Sequence, residues 1–310
     1  QSQCRLYFPA GTGLLCAADS RKSQRSMDTT APPPLEYLRA EIDRIDQEIL
    51  DLLMARSAVV RRIGEVKGDL EDGRPALRPA REAQILRRLA ARAGGRFPTA
   101  VLVRMWRELI AAQTRLQAPL SVAVFARDEG PPQVWDLARD HFGSTTPMIR
   151  VDRASQALRA LTDGSATVAV LPLPNDDESW WVSLMSDQDR RLRAFARLPF
   201  VSGDGEEARA LALGQLEVEA SGDDLALLAI EAEPGLSRGR LRELLLGAGL
   251  EPGWASTSRP DPPAQVLHLI EVEGFVADAD PRLARLHQAA GGEVLRVVPV
   301  GGYARPLSRD

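Results

Sequence analysis

The chain has 310 residues, 44% hydrophobic and 26% charged, an ordinary composition for a globular protein of two or three domains. Its formal charge of −4 argues against nucleic acid as the main partner, because phosphate binding needs a basic surface. No apolar run approaches the roughly 18 residues that cross a bilayer, so no membrane association is expected. Cys4 and Cys16 provide no disulfide framework, and His141, His268 and His287 show no ligand spacing. We expect a cytoplasmic protein with no metal and no cofactor.

The N-terminal segment has an unusual composition. The first residue is Gln1, and the first methionine, Met27, directly precedes the low-complexity run DTTAPPP. An upstream apolar patch, GTGLLCAA, is too short and too weakly flanked by basic residues for a good signal peptide. We expect residues 1–34 to be disordered or a wrongly assigned extension, and a secreted protein is the alternative.

Residues 35–67 are predicted to form one long amphipathic helix. Its apolar side chains recur at steps of three and four residues, which is typical of a helix with one apolar face. They are Leu38, Ile42, Ile45, Ile49, Leu52, Val59, Ile63 and Val66. A helix of this length with a single apolar face needs a partner helix, as in a bundle or coiled coil. A break at 68–77 and helices at about 79–93 and 98–117 complete a three-helix unit.

Beyond Pro119 the pattern changes to short strands alternating with helices. This alternation predicts a β-α-β-α-β unit with a parallel sheet, followed by an irregular polar stretch at 173–190 and two more strands. The strands are expected at 121–125, 148–151, 166–171, 192–200 and 209–218, and the helices at about 131–142 and 153–163. An acidic loop is expected at 202–207.

The C-terminal part of the chain predicts a second unit that mixes strands and helices. Its order is strand, helix, two strands, helix and strand, the order of a ferredoxin-like sandwich. The elements are expected at 225–231, 238–249, 255–259, 266–272, 281–290 and 294–298. The domains are therefore expected at 1–34 (extension), 35–118 (helical), 119–222 (α/β lobe) and 223–307 (ferredoxin-like).

Arg56 stands in the apolar series of the first helix, at a position where a hydrophobic residue is due. Lys67 follows 11 residues later, about 20° from the same face, whereas Arg39 lies roughly 100° away around the axis. A charge on the core face of a bundle must find a partner, and no acidic residue lies nearby on that face. A bound anion would satisfy Arg56. Arg39 and Lys67, each taken alone, have a solvated surface position as the alternative.

Three segments within residues 35–117 resemble the all-helical chorismate mutases, the AroQ class. They read LRAEIDRIDQEILDLLMARSAVVRRIGEVK, RPAREAQILRRL and RMWRELIAAQTRLQ. The family pattern has an arginine, a second arginine and a lysine along helix one, an Arg-Glu pair opening helix two, and a glutamine closing helix three. The matching residues are Arg39, Arg56, Lys67, Arg81, Glu82 and Gln117. The resemblance implies an all-α fold in which the long helices of two copies intertwine as a homodimer.

The resemblance also implies an activity, the rearrangement of chorismate to prephenate by an intramolecular transferase. This Claisen rearrangement needs no cofactor and no metal, so catalysis must come from holding the reactive conformer and stabilising the developing charge. Arg39 of one copy and Arg56 of the other would bind the two substrate carboxylates. Lys67 and Gln117 would donate hydrogen bonds to the ether oxygen.

The second helix and the end of the third would supply the remaining contacts. By resemblance, Glu82 would accept a hydrogen bond from the ring hydroxyl, and Arg81 would support the ligand. Two positions depart from the family pattern but are still expected near the substrate. Gln113 stands where many members have a small hydroxyl residue, and Arg78 stands where some relatives carry an acidic residue.

The middle region resembles part of a prephenate dehydratase. VAVFARDEGPPQVWDLARDHFG is similar to the opening strand and helix of that family, and VAVLPLPNDDES to the segment after its third strand. The region 119–222 is too short for the two-lobed enzyme, and ARALALGQLEVE stands where the catalytic Thr-Arg-Phe motif is due. We expect a truncated, dehydratase-like domain without dehydratase activity.

The C-terminal unit resembles an ACT regulatory domain, through EPGLSRGRL, STSRP and the closing VGGYARPL. Such domains often bind phenylalanine at a dimer interface, which would implicate Gly235, Leu236, Ser258 and Arg259. Thr257 replaces the usual glutamate, so a purely structural dimerisation module is the alternative to an amino-acid effector site.

Together, the resemblances imply a homodimeric chorismate mutase of phenylalanine and tyrosine biosynthesis, fused to a degenerate dehydratase-like domain and an ACT domain. A bifunctional chorismate mutase/prephenate dehydratase under phenylalanine regulation is one alternative. A non-catalytic sensor, whose helical and ACT domains only bind ligands, is another.

Overall fold

The computed structural model describes residues 33–67, 76–126, 133–175, 178–185, 192–203, 209–259 and 265–309. The side chain of Lys67 is outside this description, as are nearly all of the predicted extension 1–34 and most of the predicted loop 202–207. The chain divides after Met54 into two compact units. None of the described helices is both long and apolar enough to span a bilayer.

The three predicted N-terminal helices are confirmed. They are α1 (Leu35–Lys67), α2 (Pro79–Ala93) and α3 (Thr99–Arg115). Pro79 suits the first turn of α2, where its missing N–H needs no partner. Gly94 ends α2 at a φ of 55°, in the left-handed region that glycine adopts most easily. Helix α3 stops at Arg115, so Gln117 lies just beyond it and not within its last turn.

The predicted β-α-β-α-β unit is also confirmed. Its central strand β1 pairs in parallel with both β2 and β3, so the strand order is β2-β1-β3. The elements are β1 (Val122–Phe125), α4 (Gln133–Phe142), β2 (Met148–Val151), α5 (Ala154–Thr162) and β3 (Val168–Pro172). The stretch predicted to be irregular contains a 3₁₀ helix, Trp180–Met185, whose Trp181 is fully buried in the core.

Eight strands remain in the described part of the chain; six of them were predicted, and the two short ones, β5 and β11, were not. They and their helices are β4 (Leu192–Leu198), β5 (Val201–Ser202), β6 (Ala210–Gln215), β7 (Asp224–Ala232), α6 (Arg238–Ala248), β8 (Pro252–Ser258), β9 (Val266–Glu273), α7 (Pro281–Ala289), β10 (Val294–Ala304) and β11 (Leu307–Ser308). The C-terminal strands lie in the order β10-β7-β9-β8, and all neighbours are antiparallel. This arrangement is the predicted ferredoxin-like sandwich.

The α/β lobe and the ferredoxin-like unit share one nine-stranded sheet, in the order β2-β1-β3-β6-β4-β10-β7-β9-β8. Strands β4 and β10 join the two halves in parallel, with Gly301 opposite Ala194. A side chain on Gly301 would begin 2.5 Å from the Ala194 carbonyl oxygen, so only glycine allows this close approach. The sequence predicted the α/β lobe and the ferredoxin-like unit, but not that their strands form one continuous sheet.

A buried polar network crosses the same junction. The Nη1 atom of Arg197, on β4, donates to both carboxylate oxygens of Glu271, on β9, at 3.0 Å. The hydroxyl of Tyr303, on β10, donates to Glu271 Oε2 at 2.8 Å. Burial, and then the nearby Glu271 carboxylate, raise the pKa of Tyr303 well above its usual value. Glu271 therefore ties together three strands from both halves of the sheet.

Helix α2 is anchored to the sheet region through Arg87. Its guanidinium donates to Ser221 Oγ at 2.9 Å and to the backbone oxygens of Asp223 and Arg305. Ser221 and Asp223 precede β7, and Arg305 follows β10. One partly buried arginine thus fixes α2 against the two chain segments that border the ferredoxin-like unit.

Candidate functional site

Arg56 lies on α1 with its guanidinium half-buried. Its Nη1 atom is buried and has no hydrogen-bond partner among the described residues. Burial lowers the pKa of Arg56 from its usual value, because removing the cation from water disfavours its charged form. A buried, unsatisfied guanidinium N–H is costly, and an anionic oxygen would relieve that cost.

The end of α3 lies beside the second half of α1. The Nε2 atom of Gln113 donates to Ser57 Oγ at 3.0 Å, and the Gln113 Oε1 atom is buried without a partner in the described part of the chain. Gln117 follows one turn later, and its Nε2 donates weakly to the Gln113 carbonyl at 3.4 Å. Gln117 Cγ would lie 3.6 Å from a Cβ atom added to Gly64, so the segment after α3 is in van der Waals contact with α1 there. Gln113 therefore packs against Ser57, the residue after Arg56, and Gln117 packs near Gly64, about two turns further along α1.

Ser57 was not singled out from the sequence, although it directly follows Arg56. Its hydroxyl is the partner that fixes Gln113, which is buried on α3. A small hydroxyl residue on a long helix has no distinctive sequence signal, because Ser is common on solvated helix faces. Only the packing of α3 against α1 identifies it.

Glu82 is held by an ion pair with Arg107. Arg107 Nη1 donates to Glu82 Oε2 at 2.7 Å, and their side chains are only 5% and 12% exposed. Burial lowers the pKa of Arg107, and the Glu82 carboxylate partly opposes that change. The carboxylate predicted to face a substrate hydroxyl thus has a structural cation beside it. The sequence could have identified Arg107 as a buried charge, because it stands four residues after Val103 and four before Ala111 on the buried face of α3.

The other predicted cations are arranged differently. Arg81 is exposed on α2, and Arg39 is exposed on the first part of α1. Arg78 Nη1 donates to Glu219 Oε1 at 2.7 Å, in a pair whose side chains are both more than half exposed. Lys67 is the last residue of α1. In the described structure Gln113 and Gln117 therefore lie against the second half of α1, the half that also carries Arg56, whereas Glu82 and Arg78 have ion-pair partners of their own.

The predicted effector residues lie at one end of the ferredoxin-like sheet. Gly235 is exposed in the turn between β7 and α6, and Leu236 is buried beside it. Ser258 ends β8 half-buried, and Arg259 follows it, exposed. Ser237 caps α6 by accepting a hydrogen bond from the Arg240 backbone N–H at 3.1 Å, which fixes the path of the turn.

Thr257 and His268 form a buried polar pair next to these residues. Thr257 Oγ1 lies 3.2 Å from His268 Nδ1 and accepts a hydrogen bond from Arg238 Nη2 at 3.4 Å. Burial first, and then the positive charges of Arg238 and Arg259, together lower the pKa of His268 to about 4. The imidazole is therefore neutral at pH 7. Within the described ranges no group of three or more His, Cys, Asp or Glu residues is placed to hold a metal ion.

The helical part of the chain is similar to known proteins. Residues 38–118 match the family model for chorismate mutase type II. The bifunctional chorismate mutase/prephenate dehydratase of Aquifex aeolicus (strain VF5) is 41% identical over 93 residues, covering 29% of this chain and 25% of that protein. The protein of the same name from Pseudomonas aeruginosa PAO1 is 29% identical over 150 residues, covering 46% of this chain and 40% of that protein.

The chain thus spans less than half the length of these two relatives. The alignment with the Pseudomonas protein is longer than the segment 38–118, so the similarity extends outside the helical part. Among solved structures, prephenate dehydratase from Streptococcus mutans has a TM-score of 0.43 and 14% identity, covering 61% of this chain and 99% of that chain. A structural similarity at that level supports no conclusion by itself. The similarity to the chorismate mutase type II family thus lies in residues 38–118, which include nearly all of α1, α2 and α3.

Proposed function

We propose that residues 35–118 catalyse the rearrangement of chorismate to prephenate, in the cytoplasm. The observation that carries the proposal is Arg56, whose buried Nη1 has no partner in the described structure, and the next residue along α1, Ser57, is bound to Gln113. A protein retains such a charge at a cost in stability, and a substrate carboxylate offers the matching acceptor. The similarity of this segment to the chorismate mutase type II family gives that anion its identity.

The rearrangement breaks an ether bond and forms a carbon–carbon bond within one molecule, with no net transfer of protons. The residues' task is to hold the folded conformer and to donate hydrogen bonds where negative charge develops. In this proposal Arg56 binds one carboxylate, and Lys67 and Gln117 donate to the ether oxygen. Gln113, fixed by Ser57, presents its amide to the substrate.

Glu82 and Arg81 complete the proposed site from α2, with Arg78 at its edge. Arg107 holds the Glu82 carboxylate in place at 2.7 Å through one oxygen, Oε2, and Glu82 Oε1 is the proposed acceptor for the ring hydroxyl. Arg107 thereby becomes a positioning residue. The Arg78–Glu219 pair is exposed, so exchanging Glu219 for a substrate carboxylate would cost little.

A second copy of the chain is the proposed partner of α1. Helix α1 has 33 residues, about 50 Å at 1.5 Å per residue, and leaves most of its large apolar side chains exposed. They include Leu38, Ile42, Ile45, Ile49 and Val59. An apolar stripe of this length needs a facing helix. In the proposed dimer each copy also supplies Arg39 to the site of the other.

For the remaining domains, residues 119–222 and 223–307, we propose supporting roles. The α/β lobe lacks the Thr-Arg-Phe motif, and it is proposed to have no dehydratase activity. The β7–α6 turn, with Gly235, Leu236, Ser258 and Arg259, is proposed as an amino-acid effector site. Thr257 already contacts His268 and Arg238, so any such effector would be bound without the glutamate of the family pattern.

The test is a time course of the purified full chain on chorismate, with products identified by mass spectrometry under neutral conditions. We expect prephenate to accumulate and persist. Phenylpyruvate appearing without acid treatment would overturn the proposed loss of dehydratase activity, and it would favour a bifunctional enzyme. Unreacted chorismate with saturable binding would overturn the mutase and favour a sensor.

The dimer is tested by light scattering on the same preparation. We expect twice the monomer mass for the native chain and a monomer for Ile45→Asp, because a charge at the centre of the apolar stripe prevents helix pairing. The monomer should also lose activity, since each site would lack the Arg39 of a partner. Glu48→Gln, on the same helix, is the matched control. A native monomer with full activity would contradict the shared site.

A further inference from the structure

A cavity of about 240 Å³ lies between α3, α4 and the chain that links β4 to β5. About half of its lining surface is apolar, contributed by residues such as Val103 from α3, Leu137 from α4, and Leu198 and Phe200 from the β4–β5 segment. The cavity shares Arg107 with the proposed chorismate site, because Arg107 holds Glu82 and also lines the cavity, but the proposed substrate-contacting residues Arg56, Gln113, Gln117 and Glu82 lie outside its lining.

Positive charge dominates the polar part of the lining. Four arginines border the cavity, Arg104, Arg107, Arg209 and Arg309, against the single carboxylate of Asp140. Asp140 is bound by Arg104, whose Nη2 lies 2.6 Å from its Oδ1 atom. The lining thus carries an excess of guanidinium groups over carboxylates, which favours an anion.

Arg107 lies at the cavity wall and is almost fully buried. Its Nη1 atom is used by Glu82, but its Nε atom is buried without a hydrogen-bond partner in the described part of the chain. His141 also lines the cavity, and burial together with the charge of Arg107 lowers its pKa well below the usual value. The imidazole is neutral at pH 7 and adds a hydrogen-bonding group without adding charge.

The size of the cavity restricts the ligand. An apolar cavity of about 150 Å³ in another protein holds one benzene molecule, so a cavity of about 240 Å³ has room for a six-membered ring and a carboxylate. Phe200 and Leu137 provide apolar contacts for a ring. We propose that this cavity is a second ligand site, which binds a small organic acid whose six-membered ring bears a carboxylate, with Arg107 and Arg209 facing the charge.

The experiment measures binding of benzoate to the full chain by isothermal titration and by saturation-transfer NMR. Benzyl alcohol has the ring without the charge, and inorganic phosphate has the charge without the ring. We expect benzoate to bind at least about tenfold more tightly than either control, since one hydrogen bond to a charged group is worth that much. Equal binding of phosphate and benzoate, or no benzoate binding, would overturn the proposal.

Two variants locate the bound ligand. Arg209→Gln removes an exposed cation at the cavity, and Ala100→Leu fills part of its volume. Each should weaken benzoate at least about tenfold, whereas Arg242→Gln, exposed on α6, should leave it unchanged. Arg56→Met should keep full benzoate affinity, so failure of the mutase proposal and failure of this one can be told apart. Unchanged affinity in both cavity variants would show that benzoate binds elsewhere, contrary to the proposal.

Discussion

Helix α1 and the nine-stranded sheet differ in what they do with apolar side chains and with charge. Along α1 the large apolar residues Ile42, Ile45 and Ile49 are exposed, and the half-buried Arg56 has an unsatisfied Nη1. In the sheet, strands β3, β6 and β7 bury nearly every side chain, and the partly buried cation Arg197 is bound by Glu271. Arg197 and Arg56 each have one buried nitrogen without a hydrogen-bond partner among the described residues. The difference is that Arg197 has a carboxylate beside it, whereas no described carboxylate pairs with Arg56.

This difference separates residues that stabilise the fold from residues kept for binding. A buried charge with an internal partner is expected to destabilise the protein when that partner is removed. A buried charge without a partner is expected to reduce function, but not stability, when it is itself removed. Substitutions of buried charged residues, each compared with an exposed position, test the two expectations.

Glu271→Gln should produce the largest loss of stability. It leaves Arg197 with no neutralising charge inside the sheet and weakens the hydrogen bond from Tyr303. Breaking a buried ion pair costs about 3 kcal/mol or more, which corresponds to a fall in Tm of about 5 °C or more for a protein of this size. Thermal unfolding measured by circular dichroism checks this. A change below about 1 kcal/mol would mean that solvent reaches the pair.

Arg56→Met should reduce kcat/KM for chorismate about 10²- to 10³-fold, the usual effect of removing one charge-stabilising group. The same substitution should leave the free energy of unfolding unchanged or raise it, because methionine keeps the apolar stem and removes an unsatisfied cation. Steady-state kinetics and urea unfolding measure the two quantities. Arg61→Met, at an exposed position on the same helix, is the control. A large fall in stability together with activity would assign Arg56 a structural role instead.

Acid should weaken the sheet region through His268. Its folded pKa of about 4 lies below the unfolded value of about 6.5, so protons bind the unfolded state first. The contribution is complete above pH 6.5 and is lost as the pH falls towards 4, with about 2 kcal/mol lost by pH 4.5. His268→Asn should make the difference in unfolding free energy between pH 7 and pH 4.5 smaller. His287→Asn, at an exposed position on α7, should leave that difference as it is in the native protein.

Glu48→Gln should have the smallest effect. Glu48 pairs with Arg44 one turn away on α1, and both side chains are 60% exposed. Exposed helical pairs contribute about 0.3 to 0.5 kcal/mol, and salt screens them. Urea unfolding at low and high salt should differ from the native protein by no more than that. A cost near that of Glu271→Gln would mean that another chain covers this face of α1.

The features of the fold that the sequence predicted correctly are those with local signals. Steps of three and four residues gave the three helices, and the strand-helix-strand order gave both the parallel unit and the ferredoxin-like unit. Arg56 was singled out because a charge interrupts a periodic apolar series, and Gln117 because it matches a family pattern. Gln113 was singled out although it departs from that pattern, and the roles of all three residues remain predictions. These signals lie within one element, where backbone geometry relates residue spacing directly to direction.

Tertiary structure alone decided the contacts between distant residues. The pairing of Glu82 with Arg107, of Arg78 with Glu219, and of Gln113 with Ser57 joins positions on separate elements. The union of the two sheet halves depends on Gly301 approaching Ala194, which no local pattern encodes. Sequence periodicity fixes which face of an element is apolar, but the partner of that face is chosen by packing and by the satisfaction of buried polar groups across the whole fold.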